Sequence, residues 1–394
     1  MSTIRVLMVT GAYAPETSGA SLQCRNLIRA LNDRADFTVL TTSTDPSLPR
    51  QSIVEQTPVR RITVDPASRI SKSRAAKQIA SSFLELSRAI DLVHLHGFSQ
   101  KSVLIVALAR ALGKPIAIKL TSFGHDDPQS IQQHGRAMWW AYRQADRFIG
   151  VTPRFAEGFA SAGLDRSRFV FIPNGVDLAR FRPASAAERA ELRHQLGIAG
   201  ADPMVLFVGF FSREKNPDVL FEAWASLSER GLRSTLVLVG ATTGSYYEID
   251  PALAREIKAR AVSRNLSDRL VFIEHTDQIE RLHRAADVFA LPTAREGLPN
   301  AMLEAMACGV PPVITRLDGV TDWIVTSGVN GELVAAVDAA AFAIALERLL
   351  VSAERRHALG TAARAHVEAN FSLAATANRT LAVYQDLLSR KQAS

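Results

Sequence analysis

Short β-rich apolar runs recur along the whole 394-residue chain, and stretches with helical spacing lie between them. The runs cover residues 4–9, 37–42, 59–64, 91–96, 115–121, 147–152 and 169–172, then 204–209, 235–240 and 270–273. Strand followed by helix, repeated in both halves, is the pattern of an α/β fold with parallel sheets. A single hydrophobic core stops growing below this length, so two such domains are expected. Pro173, Asn174, Gly175 and Asp177 make a tight turn in the middle of the chain, where Asn and Gly tolerate positive φ. With Phe181 and Pro183 just after it, the boundary is placed near 183. That gives one domain over 1–183, a second over 184–370, and a last helical segment over 371–394. Residues 244–261, with Tyr246 and Tyr247, read as a loop and a helix.

Residues 295–309 read as a loop feeding a helix. Pro299 suits the first helical position. Met302, Leu303 and Met306 recur at helical spacing, Gly309 is placed to cap the C-terminus, and Pro311 and Pro312 end the helix before the apolar pair at 313–314. Two carboxylates stand out, Glu296 in the loop and Glu304 about one turn into the helix. Between them lie Gly297 and Leu298 and the first backbone N–H groups, at Asn300 and Ala301, which lack intrahelical partners and attract phosphate. A carboxylate on each side of a phosphate site can grip hydroxyls on both sides of a diphosphate, the layout of sugar, pyrophosphate and ribose in a nucleotide-sugar. Taken alone, the same spacing also fits a first-turn acid and a solvated helix residue. In the loop after residue 209, Arg213 and Lys215 are two cations that can neutralise a diphosphate leaving group. A loop salt bridge with Glu214 is the plainer use for them.

The E-x7-E pair, the segment 286–293 before it, and Asp318-Gly319 and residues 330–334 after it resemble the retaining glycosyltransferases of family 4. The resemblance spans most of the chain, and residues 173–177 are similar to the junction between that family's two domains. It implies the GT-B fold, two Rossmann-like domains facing each other across a cleft. The first domain would be on the acceptor side, the second would bind the nucleotide-sugar, and the last helix would cross back to the first. The implied reaction moves a sugar from a nucleotide-diphosphate sugar to a glycan, lipid-linked or small-molecule acceptor, with retained anomeric configuration, as in cell-surface polysaccharide or glycolipid synthesis. Glu296, Lys215 and Arg213 would be catalytic. Gly19, Gly297, Leu298, Asn300, Ala301 and Glu304 would bind the donor, and residues 274–277 would line the nucleobase.

The chain departs from the family at three places. Ser18-Gly19 stands where two glycines are usual, and Phe210 stands where an Arg follows the glycine. Phe123 stands at the histidine of T-x-H-G-x-D, in which Thr121, Gly124 and Asp126 match. His125 lies two residues on, on the opposite side of an extended chain. Lys119, His125 and Asp126 are acceptor-side candidates, as is His96 at the end of its strand. His94 and His96 point the same way, with nothing nearby to complete a metal site. There is no D-x-D, so no metal and no resident cofactor are expected, and no nucleic-acid partner. Two readings from other classes compete, a nucleotide-sugar epimerase of the same architecture and a non-catalytic nucleotide-binding protein.

The charge is uneven. Residues 1–180 carry 23 Lys and Arg against 14 Asp and Glu, a net of +9, whereas the remainder carries 23 against 25. Arg60, Arg61, Arg69, Lys72, Arg74 and Lys77 face one acid, Asp65, and a helix is expected from Ser71. A basic amphipathic helix can lie on an anionic membrane, and a solvated helix face explains the same residues. No run approaches a membrane span. Two cysteines and the absence of a signal-peptide core fit a cytoplasmic enzyme, peripheral to the membrane if the basic half touches lipid.

Overall fold

A computed structural model describes residues 3–16, 18–198, 202–242 and 249–393. Tyr246 and Tyr247 lie outside them. The chain divides into two compact units, Met1–Gly175 with Leu373–Ser394, and Val176–Ser372. The division falls inside the Pro-Asn-Gly turn rather than at 183. Residues 176–183 pack on the second unit: Val176 N donates to the Phe371 carbonyl at 2.8 Å, and the Phe181 ring meets His283 edge-on at 5.8 Å.

The first unit holds an eight-stranded sheet of β1 (Ile4–Thr10), β2 (Ala35–Ser43), β3 (Gln51–Val54), β4 (Thr57–Thr63), β5 (Leu92–His96), β6 (Ile116–Leu120), β7 (Arg147–Gly150) and β8 (Phe169–Phe171). Its order is β3-β4-β2-β1-β5-β6-β7-β8, and β3 alone runs antiparallel to its neighbour. The sequence shows no strand at 51–54, because this edge strand alternates between half-buried and exposed residues and has no apolar run. Strand order reverses between β1 and β5. The helix Gly19–Leu31 begins where Ser18 and Ser21 form a reciprocal cap. Ser21 N donates to Ser18 Oγ at 3.1 Å and Ser18 N to Ser21 Oγ at 2.7 Å. The helix Leu373–Ala393 belongs to this unit. Its Ala377 and Tyr384 pack with Met8, Cys24, Leu27 and Leu92, and its Val383 and Leu387 with Ile149 and Ile172.

The second unit holds β9 (Met204–Val208), β10 (Thr235–Val239), β11 (Leu270–Ile273), β12 (Val288–Leu291), β13 (Pro312–Thr315) and β14 (Glu332–Val334), all parallel, in the order β11-β10-β9-β12-β13-β14. These strands are mostly apolar because a parallel sheet is covered on both faces, with Thr235, Thr315 and Glu332 as buried exceptions at strand ends. The Ala-rich tail after Val334 is broken into the helices Ala339–Leu350, Ala353–Asn370 and Leu373–Ala393. Order reverses between β9 and β12, the position at which open parallel sheets receive ligands beyond their carboxyl ends.

The loops leaving β9 and β10 touch through two glycines. Gly209 N donates to the Val239 carbonyl and Gly240 N to the Ile273 carbonyl, both at 2.9 Å. Gly240 has φ +147°, and a Cβ there would lie 1.9 Å from the Gly209 carbonyl oxygen. Gly240→Ala is expected to lower stability by about 1–3 kcal/mol, because backbone on both sides must move. Urea unfolding of the variant with an unchanged midpoint would contradict this packing.

Candidate functional site

In the second unit, the loops after β9 and β12 are tied together before any charge is considered. Phe211 is fully buried and stacks on Phe272 at 5.8 Å, anchoring the start of the first loop. Asn216 adopts a left-handed φ of +49° and caps the helix Pro217–Glu229. Its Nδ2 donates to the Glu214 carbonyl at 3.0 Å and to the Pro292 carbonyl at 2.9 Å. Ala294 N also donates to the Glu214 carbonyl, at 2.7 Å, and Arg295 pairs with the Glu214 carboxylate at 2.6 Å. Glu214 is therefore bridged to Arg295 and leaves Lys215 to another partner.

That partner is Glu296. Lys215 Nζ lies 2.5 Å from Glu296 Oε1, with side-chain exposures of 18% and 12%. An ion pair this far from water is held by geometry as well as by charge. Gly297, Leu298 and Pro299 follow, all buried. Pro299 is the cap of the next helix rather than its first residue; Met302 N and Leu303 N donate to its carbonyl at 3.1 and 3.3 Å. The helix Asn300–Ala307 has no side-chain cap, and Met302, Leu303 and Met306 form its buried face. Gly309, at φ +73°, ends it, and Arg364 donates to the Ala307 carbonyl at 2.5 Å. Glu304 lies one turn in, with its Oε2 3.5 Å from Nε2 of the fully buried His283.

Arg213 does not join Lys215. Its exposed guanidinium is held by Asp250 at 2.9 Å and by Asp218 and Glu256 at 3.5 Å, and the Asp250 hydrogen bond raises its pKa further. One residue separates it from Lys215, so the pair reads well in one dimension, but the turn at 212–216 sends the two side chains to different acids. Beyond β10 and β11, Thr242 Oγ1 donates to Glu274 at 2.7 Å, whereas His275 and Asp277 are exposed and 3.3 Å apart.

In the first unit the named residues sort differently. Asp126 is buried and fully committed to its own loop. It accepts from Phe98 N (2.9 Å), Thr121 N (2.8 Å), Thr121 Oγ1 (2.5 Å) and Ser122 N (3.2 Å), and burial raises its pKa against the pull of those bonds. These bonds hold the loop's shape, three of them on Oδ2 and one on Oδ1. The loop is a turn, not extended chain: Asp126 N donates back to the Ser122 carbonyl at 3.1 Å, which removes the argument that His125 lies on the far side. Phe123 is sandwiched between Phe155 at 5.1 Å and the Arg154 guanidinium at 4.2 Å. Gly19 opens its helix.

His96 and Lys119 are register partners at the carboxyl ends of β5 and β6, both buried. Burial lowers Lys119 to about 8, and neither ring nitrogen of His96 has a hydrogen-bond partner. His94 differs: its Nδ1 is 2.6 Å from Tyr384 Oη, and burial lowers it to about 3. Lys101 escapes a reading of the sequence, since nothing in a helix start marks it. Its Nζ reaches the Thr10 carbonyl at 2.6 Å and Thr42 Oγ1 at 2.9 Å, beside the strand reversal. Among the described residues no group of three or more His, Cys, Asp or Glu is placed to hold a metal ion.

Two parallel-sheet units, with a lysine–glutamate pair and a loop-to-helix acid motif at a strand reversal, describe a nucleotide-sugar-using glycosyltransferase of GT-B fold. Residues 18–175 match the family model described as a glycosyl transferase 4-like domain, and residues 188–366 that of glycosyl transferases group 1. The D-inositol 3-phosphate glycosyltransferase of Nocardia farcinica is 30% identical over 89% of this chain and 80% of its own. That of Nocardiopsis dassonvillei is 32% identical over 88% and 84%. Among solved structures, sucrose-phosphate synthase from Thermosynechococcus elongatus superposes with a TM-score of 0.80 at 22% identity, covering 98% of this chain and 100% of that one. Anabaena HepE in complex with UDP and glucose gives 0.77 at 19%, covering 97% and 99%. The chain belongs to glycosyltransferase family 4. These relatives do not favour the epimerase or the binding-protein reading.

The geometry separates the two cations experimentally. Lys215→Ala is expected to lower kcat by about 10²–10³-fold, the cost of removing one preorganised charge. Arg213→Ala should change kcat/KM by less than about threefold, since exposed ion pairs contribute little. Steady-state kinetics on the two variants would refute the assignment if the order were reversed.

Proposed function

We propose that the second unit binds a nucleotide-diphosphate hexose and that the protein transfers the hexose with retained configuration. The observation that carries this reading is the Lys215–Glu296 pair, 2.5 Å apart, at the entrance to a helix whose Glu304 lies one turn further. Lys215 and the amides of Asn300 and Ala301 take the diphosphate and its growing charge as the glycosyl bond breaks. Glu296, already fixed by Lys215, holds sugar hydroxyls and sets the ring's orientation. Glu304 takes the ribose hydroxyls. Before the donor arrives Lys215 and Glu296 neutralise each other, so the site is preorganised without an uncompensated charge.

The acceptor we propose carries a phosphate. Support comes from the name of the curated relatives, which specifies D-inositol 3-phosphate, and from the surplus of nine cations over residues 1–180. Lys119, buried at the carboxyl end of β6 with no ion pair among the described residues, is the cation best suited to meet that group. A thermal-shift panel of UDP-, GDP-, ADP- and dTDP-sugars on the wild type and Glu304→Ala tests the donor half. One nucleotide should stabilise the wild type by about 2.7 kcal/mol at 100 times its dissociation constant, and the variant far less. Product analysis with inositol 3-phosphate and with inositol tests the rest. An epimerised donor, or equal turnover of both acceptors, would overturn it.

A peripheral membrane contact is a second element of the reading. The helix Arg69–Leu86 exposes Arg69, Lys72, Arg74 and Lys77 beside Ile70, which is 67% exposed. No helix among the described residues is long and apolar enough to cross a membrane. Arg61 is excluded from that face: it is buried and donates to the carbonyls of Pro49 at 2.9 Å and Ala14 at 2.6 Å. Replacing the four exposed cations by Ala should weaken binding to phosphatidylglycerol vesicles at least tenfold at low salt, with the difference shrinking as salt rises. Absence of vesicle binding by the wild type would dispose of the contact.

A further inference from the structure

Behind Glu304 stands a group that the donor reading does not use. His283, on the helix Ile279–Ala285, is fully buried. Phe181 meets its ring edge-on at 5.8 Å, and Phe289 packs against it at a tilt at 6.0 Å. Its Nε2 lies 3.5 Å from Glu304 Oε2, longer than a made hydrogen bond, and neither ring nitrogen has a hydrogen-bond partner among the described residues. Burying two unsatisfied ring nitrogens is costly, and a phenyl ring would fill the same aromatic slot without that cost. What the imidazole adds is a ring nitrogen 3.5 Å from one carboxylate.

We infer that His283 is a positioning residue for Glu304, completing a hydrogen bond from Nε2–H to Oε2 when the carboxylate takes up the nucleotide ribose. The inference rests on the ribose role proposed for Glu304. The imidazole is wedged between aromatic rings and cannot follow a ligand, whereas Glu304 is half-buried and its terminal torsion is soft. Closing the gap to roughly 2.9 Å needs only a small turn of the carboxylate. A carboxylate offers about four lone-pair sites, so the histidine can occupy one and leave both oxygens able to accept from vicinal hydroxyls. With the plane fixed in this way, a ribose diol meets both oxygens at once. The tautomer required carries its proton on Nε2 and turns bare Nδ1 away from Glu304.

The test compares a nucleoside diphosphate with its 2′-deoxy counterpart by calorimetry, using UDP, GDP and ADP, on the wild type, Glu304→Ala, His283→Phe and His283→Gln. The wild type should prefer the ribo form by roughly tenfold, the size of one hydrogen bond to a charged acceptor. Glu304→Ala should bring that ratio near one. His283→Phe should lose most of it, and His283→Gln, whose amide N–H can replace Nε2–H, should keep it. In donor kinetics His283→Phe should raise KM with kcat little changed. The ratio is measured within each variant, so a general loss of stability does not mimic the effect. Full discrimination by His283→Phe, with none in Glu304→Ala, would overturn the inference alone. Discrimination retained by Glu304→Ala, or no binding of the three diphosphates by the wild type, would overturn the ribose role and the inference with it.

Discussion

Strands β9 and β12 are far apart in sequence and adjacent in space, with Phe289 opposite Leu206. Strand order reverses between them, which opens a crevice beyond their carboxyl ends, and side chains of the two loops meet across it. Lys215 comes from one loop and Glu296 from the other, and each is too little exposed to be left alone comfortably. The hydrogen bond from Asn216 to Pro292 and the ion pair of Arg295 with Glu214 tie the two loops together beside the Lys215–Glu296 pair. Everything proposed for the donor, from the diphosphate cradle to the histidine behind the ribose acid, is measured outward from that junction.

Much of this was legible in the chain. The β-rich runs marked the long core strands because parallel strands are apolar on both faces, and residues 295–309 announced a loop, a helix and its end. The motif at 296 and 304 was readable because a helix fixes one residue's place relative to another a turn away. What the sequence could not show lay off that periodicity. The edge strand β3 has no apolar face to read. The start of the helix at Gly19 is set by a hydroxyl-to-amide exchange between Ser18 and Ser21. Arg213 resembled Lys215 in type and position, yet the turn between them gives Arg213 to Asp250, Asp218 and Glu256. Asp126 matched the family motif, and folding adds that it also ties together the loop it sits in. His283 sits in an ordinary helical stretch before β12, and its importance comes from Glu304, a residue that only folding brings near.

The two units treat their interior charges in opposite ways. In the second, Lys215 and Glu296 remain a compensated ion pair. In the first, burial takes His94 down to about 3, which leaves that imidazole neutral, and Lys119 to about 8, which leaves the lysine largely protonated near neutral pH with no ion pair among the described residues. Cys24 beside them is pushed up to about 12, so it too stays neutral. An anion arriving beside Lys119 would raise its pKa again and hold that proton more firmly.

The first unit is built from both ends of the chain. Ala377 and Tyr384, in the last helix, share a core with Met8 and Leu92, while every residue of the second unit lies between them in sequence. During synthesis the second unit therefore has all its own residues while the first still lacks a wall. The nascent first unit must wait with Cys24, Leu27 and Ile149 uncovered until the ribosome has finished Leu387. The order of emergence thus makes the later, contiguous unit the earlier one to mature, and leaves the N-terminal sheet as the part of the newborn protein most in need of a chaperone.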